Sequence, residues 1–429
     1  MAKSRIVAGL DIGTNTIKVL VAQKKGKELE VLSYAQMPSF GLRKGAVVKV
    51  EEISKNIQLL MSDVEKDLGR KINSVFVNIS GSRLYVTPSD GIISVSRANQ
   101  VISQEDIDRV LQAAKAINIP ANEDVLDVLP REYIIDDQKG IKQPLGLTGK
   151  RLEAKVLLLC YFQPDFINLS QAVLNSKLQI DDIITSPLAA ADAVLTPQQK
   201  ELGVALVDIG AATTSLAVFE EGDLIHFAVL PIGSANITND IAIGLRTEVA
   251  IAESIKKQHG TCIFAKTGKS DKTMSLNVRS ADKKDQQKDK LIASESKKIE
   301  ITDKASDLSF TKKSLVDIIE PRVSEIFDLI QKELKKIGRQ ELLPGGIVLS
   351  GGGAKLSKIK ELVKQQLKLP CSIGSPKGIV GIQDDPCLAT VAGLVLAGSD
   401  IDGSDGGGIL GLLRDWLKKL IRMFRVFIP

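Results

Sequence analysis

The chain has 429 residues, of which 44% are hydrophobic and 25% charged, a balance that excludes a disordered or fibrous protein and leaves room for roughly two to four domains. Four scattered cysteines without a C-x-x-C pair (Cys160, Cys262, Cys371, Cys387) and only two histidines (His226, His259) argue against a zinc ribbon, a disulfide scaffold, a histidine metal site or a histidine-based triad, and fit a reducing cytoplasm. The net charge of +5 is concentrated in the last 21 residues, where five cations face one acid, and aromatic residues are only 4%, so neither a general basic field nor stacking platforms for nucleic acid are present.

The N-terminus runs from Met1 through Lys3 and Arg5 into a short apolar stretch broken by Asp11, which does not read as a signal peptide. No stretch of 18 uncharged apolar residues suggests a membrane span. From Ile6 to Pro38 the pattern is strand, D-I-G turn, strand, a Lys24-Lys25-Gly26-Lys27 hairpin turn and strand. Residues 51–69 then change to helical spacing, with Ile53, Ile57, Leu60, Met61, Val64 and Leu68 on one face and Gly69 as the C-cap.

Residues 85–162 read as a small α+β insert with its own core. It contains a strand, a helix capped by Ser103 with Asp106 three residues on, and two further strand segments. At Val204 the opening unit recurs: VALVDIG, then TTSLAVF, a Glu220-Glu221-Gly222-Asp223 turn and LIHFAVLPIG, followed by a helical pattern over 236–260 that ends at Gly260. Two copies of one supersecondary unit predict a duplicated α/β domain with a cleft between the copies.

Residues 264–313 are rich in Lys, Asp, Ser and Gln and read as a mobile surface loop. Residues 398–408 are a glycine- and serine-rich linker. Over 409–429 the residues Leu413, Trp416, Leu417, Leu420, Ile421, Phe424 and Phe427 recur at helical spacing opposite Arg414, Lys418, Lys419, Arg422 and Arg425. So many cations forbid a membrane span but suit a helix lying in the interface of an anionic membrane, its apolar face down; docking onto the fold or into a partner groove is the other reading.

Three elements carry chemistry. Asp11-Ile12-Gly13-Thr14 turns tightly between strands, presenting backbone N–H groups and a hydroxyl to phosphate oxygens, while Asp11 can hold a hydrated Mg²⁺ and Lys18 can neutralise charge. A single such turn is equally a common hairpin. Its copy, Asp208-Ile209-Gly210-Ala211-Ala212-Thr213-Thr214, makes a two-sided phosphate clamp the stronger reading. The third element, Ser350-Gly351-Gly352-Gly353-Ala354, follows a strand and opens a helix, so its glycines allow a ligand close to the backbone.

These motifs resemble the actin/Hsp70/sugar-kinase ATPase superfamily and, within it, the FtsA family of bacterial cell-division proteins; the resemblance runs over essentially the whole chain, and its more specific pieces are Pro144 to Glu153, Thr185 to Ala191, Ile318 to Arg322 and the C-terminal helix. The resemblance implies a duplicated actin-like, ribonuclease H-like α/β ATPase fold with a small α+β insert domain and a C-terminal amphipathic helix. Its divisions would be a first lobe at 1–84, the insert at 85–162 and the first lobe continued with its connecting helix at 163–197. The second lobe would occupy 198–236, its subdomain 237–334 with the polar insertion 264–313, and 335–397 would complete that lobe with a return helix before the linker at 398–408 and the membrane helix at 409–429.

The resemblance further implies that ATP and Mg²⁺ are bound by Asp11, Gly13, Thr14, Asn15 and Lys18 on one side and Gly210, Thr213 and Thr214 on the other, with Asp11 and Asp208 toward the metal. Gly351, Gly352, Gly353 and Ala354 would line the adenosine pocket, and Glu253, Lys256 and Lys257 would approach ribose and adenine; a solvated helix face explains that last charge group almost as well. Asp208 is the candidate for orienting water. The implied partners are the C-terminal peptide of FtsZ on 237–334, other copies of the chain in a filament, anionic phospholipid through Leu413, Trp416, Leu417, Lys418, Leu420, Ile421, Phe424, Arg425 and Phe427, and other division proteins, with no nucleic acid. The implied location is the cytoplasmic face of the inner membrane at the division site.

One departure bears on turnover. Where the family has Gly-Gly after D-I-G and Asp after T-T, this chain has Ala211, Ala212 and Ser215, whose added or altered side chains crowd or change a γ-phosphate site, so slow or negligible hydrolysis is expected. A small-molecule kinase or a pilus-assembly ATP-binding protein of the same superfamily is the alternative. The cationic tail has no use in the former, and the latter family does not end in such a helix.

Overall fold

The computed structural model describes residues 6–26, 28–263 and 310–400. The expected loop at 264–313 therefore lies outside the described residues up to 309, and the expected linker and C-terminal helix lie outside them from 401 onward. β1 (Ile6–Ile12), β2 (Thr16–Lys25) and β3 (Glu28–Pro38) form an antiparallel meander in which Asp11 stands opposite Lys18. A short hairpin, β4 (Leu42–Arg43) and β5 (Ala46–Val47), leads to α1 (Val50–Leu68). α1 buries Ile53, Ile57, Leu60, Met61 and Val64, the face its periodicity defines, and stops where Gly69 turns left-handed at φ 63°. β6 (Ser74–Ile79) returns parallel to β1.

The insert is built from β7 (Tyr85–Ser94), α2 (Gln104–Ala114), β8 (Glu123–Ile135), β9 (Gln138–Ile141) and β10 (Arg151–Phe162). Ser103 and Asp106 close the expected reciprocal capping box on α2. That helix lies directly on β7, because a Cβ at Gly91 would overlap the Val110 carbonyl. Ile107, Val110, Val128, Tyr133, Leu152 and Leu158 form a core separate from the main one.

The chain continues through α3 (Gln163–Asn175), β11 (Gln179–Thr185), α4 (Ser186–Val194) and α5 (Pro197–Leu202) to the second meander, β12 (Val204–Ile209), β13 (Thr214–Glu220) and β14 (Asp223–Leu230). The helical pattern over 236–260 resolves into two helices, α6 (Ser234–Leu245) and α7 (Val249–His259). The break falls where Arg246 enters the left-handed region at φ 52°, Thr247 N–H donates back to Ala242 O at 2.9 Å, and Glu248 takes up an extended N-cap conformation. After α8 (Lys312–Lys336) come β15 (Ile347–Ser350), a 3₁₀ turn over Gly352–Lys355, α9 (Ile359–Leu367), β16 (Cys371–Ile373), β17 (Ile379–Val380) and α10 (Ala389–Asp400). The glycine-rich element thus opens into a 3₁₀ turn before its α-helix.

Strand order makes the duplication explicit. One sheet runs β11-β6-β1-β2-β3-β17, and the other runs β16-β15-β12-β13-β14 before continuing into β7-β10-β8-β9 of the insert. In both, the fourth and fifth strands of the repeat lie beyond the first, the fourth parallel to it. α4 and α10 follow the fifth strands and cross closely: Ala189, Ala190, Ala389 and Ala392 are buried, and a Cβ at Gly393 would overlap the Ala189 carbonyl.

The chain divides into two compact units, one of residues 1–236, 324–355 and 360–429 and one of 237–323 and 356–359. The first contains both sheets. Within the second, Ile237, Ile241, Ile255, Leu315 and Ile319 are buried, and the Arg322 guanidinium donates twice to Asp240, at 2.6 and 3.0 Å.

Candidate functional site

Each meander turns at the same end of its sheet, and each turn is closed the same way. Gly13 N–H donates to Thr16 O at 3.1 Å, and Gly210 N–H donates to Thr213 O at 2.9 Å. A Cβ at either glycine would stand 2.9 or 3.0 Å from that carbonyl oxygen, so both turns need glycine to close this tightly. Ala211 and Ala212 take no positive φ, and the second hairpin therefore keeps its shape without the extra glycines.

In the first hairpin Asp11 is 5% exposed and receives the Lys18 ammonium at 2.8 Å from the facing strand. Burial pushes the Lys18 ammonium pKa down, the Asp11 carboxylate more than reverses this, and the lysine is held charged above its ordinary range. Thr14 is half-buried, and Asn15, exposed at the tip, accepts from Ser39 N–H at 3.0 Å. Beneath the turn the Asn78 side-chain oxygen accepts from Ile12 N–H at 2.6 Å, and its amide donates to the Ser186 hydroxyl at 2.9 Å.

In the second hairpin Asp208 faces Ser215 where Asp11 faces Lys18. Its carboxylate accepts instead from the Ser350 hydroxyl at 2.9 Å. Burial raises the Asp208 carboxyl pKa, the Ser350 hydrogen bond opposes this, the Asp11 charge adds to it and the Lys18 charge subtracts, leaving it above the usual carboxylate range. Asp208 thus senses both charged groups of the first hairpin. Thr213 and Thr214 are buried; the Thr214 hydroxyl donates to Ile232 O at 2.8 Å, while Ser234 and Ala235 N–H groups donate to Gly210 O and Ala211 O at 2.9 and 2.8 Å.

The glycine-rich element lies against this hairpin. Gly351 sits at φ 79°, and a Cβ there would fall 2.6 Å from the Asp208 carboxylate, while one at Gly353 would overlap the Ile209 side chain. Those two glycines are required by the protein's own packing. Gly352 is exposed, with only the Cys387 sulfur within 4 Å of a Cβ at 3.9 Å, and it is the open position of the three. Ala354 is buried, its N–H donating to Gly351 O at 3.2 Å. Lys355 pairs with Asp385 at 2.8 Å, and Gly351 N–H donates to Pro386 O at 3.0 Å, which fixes the element to the turn before α10.

Asp208 and Gly351 therefore meet in one place, and the Asp11–Lys18 pair lies within electrostatic reach of them. Two carboxylates and a single ammonium leave the place short of positive charge. Among the described residues no group of three or more His, Cys, Asp or Glu side chains is placed to hold a metal. A cation taken here by one or two carboxylates, completed by water and phosphate oxygens, is the habit of Mg²⁺, so the donor set fits that ion.

Glu253, Lys256 and Lys257 belong to the second unit. There Glu253 accepts from Thr238 at 2.5 Å and pairs with Lys256 at 2.6 Å and Lys257 at 3.4 Å. Burial favours the protonated acid, but Lys256 and Thr238 outweigh it and hold the Glu253 pKa below its ordinary value; burial pushes Lys256 down despite Glu253. Leu413, Trp416, Leu417, Lys418, Leu420, Ile421, Phe424, Arg425 and Phe427 lie outside the described residues. The sequence alone singles out no role for Asn78 and gives Ser350 only as the first residue of the glycine-rich element. Ser350 ends the strand that runs parallel beside one D-I-G strand and Asn78 is the penultimate residue of the strand beside the other, and that pairing is the signal that could have found their roles.

A family model described as cell division protein FtsA matches residues 205–393, and one described as the SHS2 domain inserted in FtsA matches 81–160. The chain is 36% identical over 398 residues to cell division protein FtsA of Pseudomonas aeruginosa, covering 92% of this chain and 89% of that one. It is 30% identical over 437 residues to cell division protein FtsA of Escherichia coli strain K12, covering 97% and 98%. Among solved structures, the PilM-PilN type IV pilus biogenesis complex aligns with TM-score 0.64 at 17% identity, over 91% of this chain and 98% of that chain. MreB5 of Spiroplasma citri bound to ADP aligns with TM-score 0.52 at 14% identity, over 94% and 99%. These structural likenesses establish the expected actin-like fold.

Proposed function

The chain belongs to the FtsA family of cell-division proteins, and from that premise we propose that it is a nucleotide-holding adaptor that polymerises on the inner face of the cytoplasmic membrane and tethers FtsZ there. The division role and the actin-like fold come with the family. The convergence of two glycine-closed hairpins on Asp11, Lys18 and Asp208 supports the nucleotide reading.

In this reading Mg²⁺ supplies charge neutralisation to the triphosphate. Asp11 and Asp208 would hold the hydrated ion, Lys18 would face phosphate oxygens, and the backbone at Thr14, Asn15 and Thr213 would cradle them, with Gly13 and Gly210, whose N–H groups close the turns on Thr16 O and Thr213 O, shaping that cradle. Thr214, whose hydroxyl is committed to Ile232 O, shapes the hairpin from behind. Gly352 is where the glycine-rich element admits adenosine; Gly351, Gly353 and Ala354 hold that element in place. Asp208 is the group placed to orient water. With Ser215 rather than a second acid opposite it, turnover is slow and bound nucleotide is retained.

The peptide of FtsZ docks on 237–334, and residues 409–429 bind anionic phospholipid as a peripheral anchor. Among the described residues no helix is long and apolar enough to cross a membrane. The reading is tested by electron microscopy of the full chain and a chain lacking 409–429 on anionic lipid monolayers with Mg·ATP, with and without the FtsZ peptide. Ordered lipid-bound filaments that recruit the peptide are expected only from the full chain. Equal lipid binding by the shortened chain would remove the anchor, and filaments indifferent to nucleotide would remove the clamp.

A further inference from the structure

We propose that Ser350 and Asn78 are a matched pair of positioning residues, one for each hairpin of the nucleotide site, an assignment that rests on the nucleotide reading above. Their equivalence comes from the duplicated pairing. β15 lies parallel to β12 with Ser350 in register with Asp208, and β6 lies parallel to β1 with Val77 in register with Leu10, so that Asn78 follows as the neighbour of Asp11. Both side chains are buried, Ser350 at 0% and Asn78 at 2% exposure, and both end their hydrogen bonds on the D-I-G segment beside them.

The two act on different parts of that segment. Asn78 takes the Ile12 N–H, the backbone between Asp11 and Gly13, and its orientation is fixed because its amide donates to Ser186 at the start of α4. It shapes the backbone cradle and leaves the Asp11 carboxylate to Lys18. Ser350 donates to the Asp208 carboxylate itself, on the hairpin where the facing residue is Ser215 and supplies no cation. Gly351 completes that seat, since any side chain there would collide with the same carboxylate. Ser350 therefore orients the carboxylate that meets the metal, and Asn78 orients the amides that meet phosphate with or without metal.

Calorimetric titration of the full chain with ATP, in excess Mg²⁺ and in EDTA, separates the two roles. Ser350→Ala loses a hydrogen bond to a charged group, so the factor by which Mg²⁺ improves ATP affinity falls about tenfold while affinity in EDTA is unchanged. Ser350→Thr, which restores the hydroxyl, recovers the Mg²⁺ effect. Asn78→Ala lowers affinity by a similar factor in both conditions. Should Ser350→Ala not fold by thermal melting, Ser350→Cys keeps the volume with a weaker donor and gives the same test. A Ser350→Ala chain with the full Mg²⁺ effect, or an Asn78→Ala chain impaired only in Mg²⁺, overturns the pairing alone. A wild-type chain that binds ATP in neither condition overturns the nucleotide reading and the pairing with it.

Discussion

Replacing Lys18 by Met tests the electrostatics of the first hairpin before any nucleotide is added. The Lys18 and Asp11 side chains are 12% and 8% exposed and 2.8 Å apart. At an effective dielectric of about 20, unit charges that close attract by roughly 6 kcal/mol, from which desolvation of both groups must be subtracted. Removing one partner of a buried pair typically costs about 3–5 kcal/mol, and the residual exposure places this site at the lower end, near ~3 kcal/mol. Asn in place of Asp11 removes the stranded charge, so the Asp11→Asn/Lys18→Met chain returns to within ~1 kcal/mol of the wild type. The Lys18 pKa is raised on folding, so its contribution is fully present below the unfolded lysine value of about 10.4 and disappears as pH climbs through the higher folded value. Denaturant melts should therefore show a constant gap between wild type and Lys18→Met at neutral pH that closes only in strong alkali. A single variant as stable as the wild type, or a double variant weaker than the single, refutes the reasoning.

In the insert, the buried Asp106 carboxylate accepts from Ser103 N and Oγ at 3.0 and 2.6 Å and from Ser96 N and Oγ at 3.1 and 2.9 Å, so Asp106→Ala should destabilise that subdomain by about 3–5 kcal/mol, read by amide exchange on α2. Burial pushes this carboxyl pKa up and the Ser103 and Ser96 donors pull it well below the ordinary value; its stabilisation is present above the unfolded pKa near 3.9 and fades as pH falls through the folded one, so the variant and wild type should converge only in strong acid. Gly393→Val forces two branches into the Ala189 backbone at the α4–α10 crossing and should cost at least ~3 kcal/mol by denaturant melting, whereas Gly352→Ala, at the open glycine, should leave stability within ~0.5 kcal/mol and weaken only nucleotide binding. Ala211→Gly/Ala212→Gly removes two methyl groups from the second hairpin at a backbone cost of ~1 kcal/mol and should strengthen binding of a nonhydrolysable ATP analogue in calorimetry.

What was legible in the sequence is what depends on neighbours along the chain. The D-I-G hairpins, the Gly69 cap, the Ser103–Asp106 box and the repeated meander each follow from residues a few positions apart. The break at Arg246 hides in an apolar pattern that runs on across it, because periodicity records which face is buried and not where the backbone turns. The glycine-rich element was legible as a close approach, but not as an approach of the loop to Asp208 and Ile209. Asn78 and Ser350 become visible only when parallel strands far apart in sequence are laid side by side, since their meaning lies in which D-I-G segment each one touches.

The duplicated fold has kept its backbone and let its chemistry diverge. In the first copy the buried acid is neutralised across the ladder by Lys18, so that hairpin is electrically complete without ligand. In the second the same ladder position is Ser215, the acid has a hydroxyl for a partner, and its proton affinity is raised. The demand for an external cation is therefore concentrated on Asp208. In the proposed reading a cation answering it would arrive with triphosphate oxygens, and the Asp11 charge that weighs on Asp208 would be offset as the site fills. A nucleotide present at a thousand times its dissociation constant stabilises the folded chain that binds it by about 4 kcal/mol whether or not it is ever hydrolysed. For a protein whose proposed work is to hold neighbouring copies, a membrane and a division partner together, that stabilisation is the useful product of binding, and the loss of the Gly-Gly pair in the second hairpin is compatible with it.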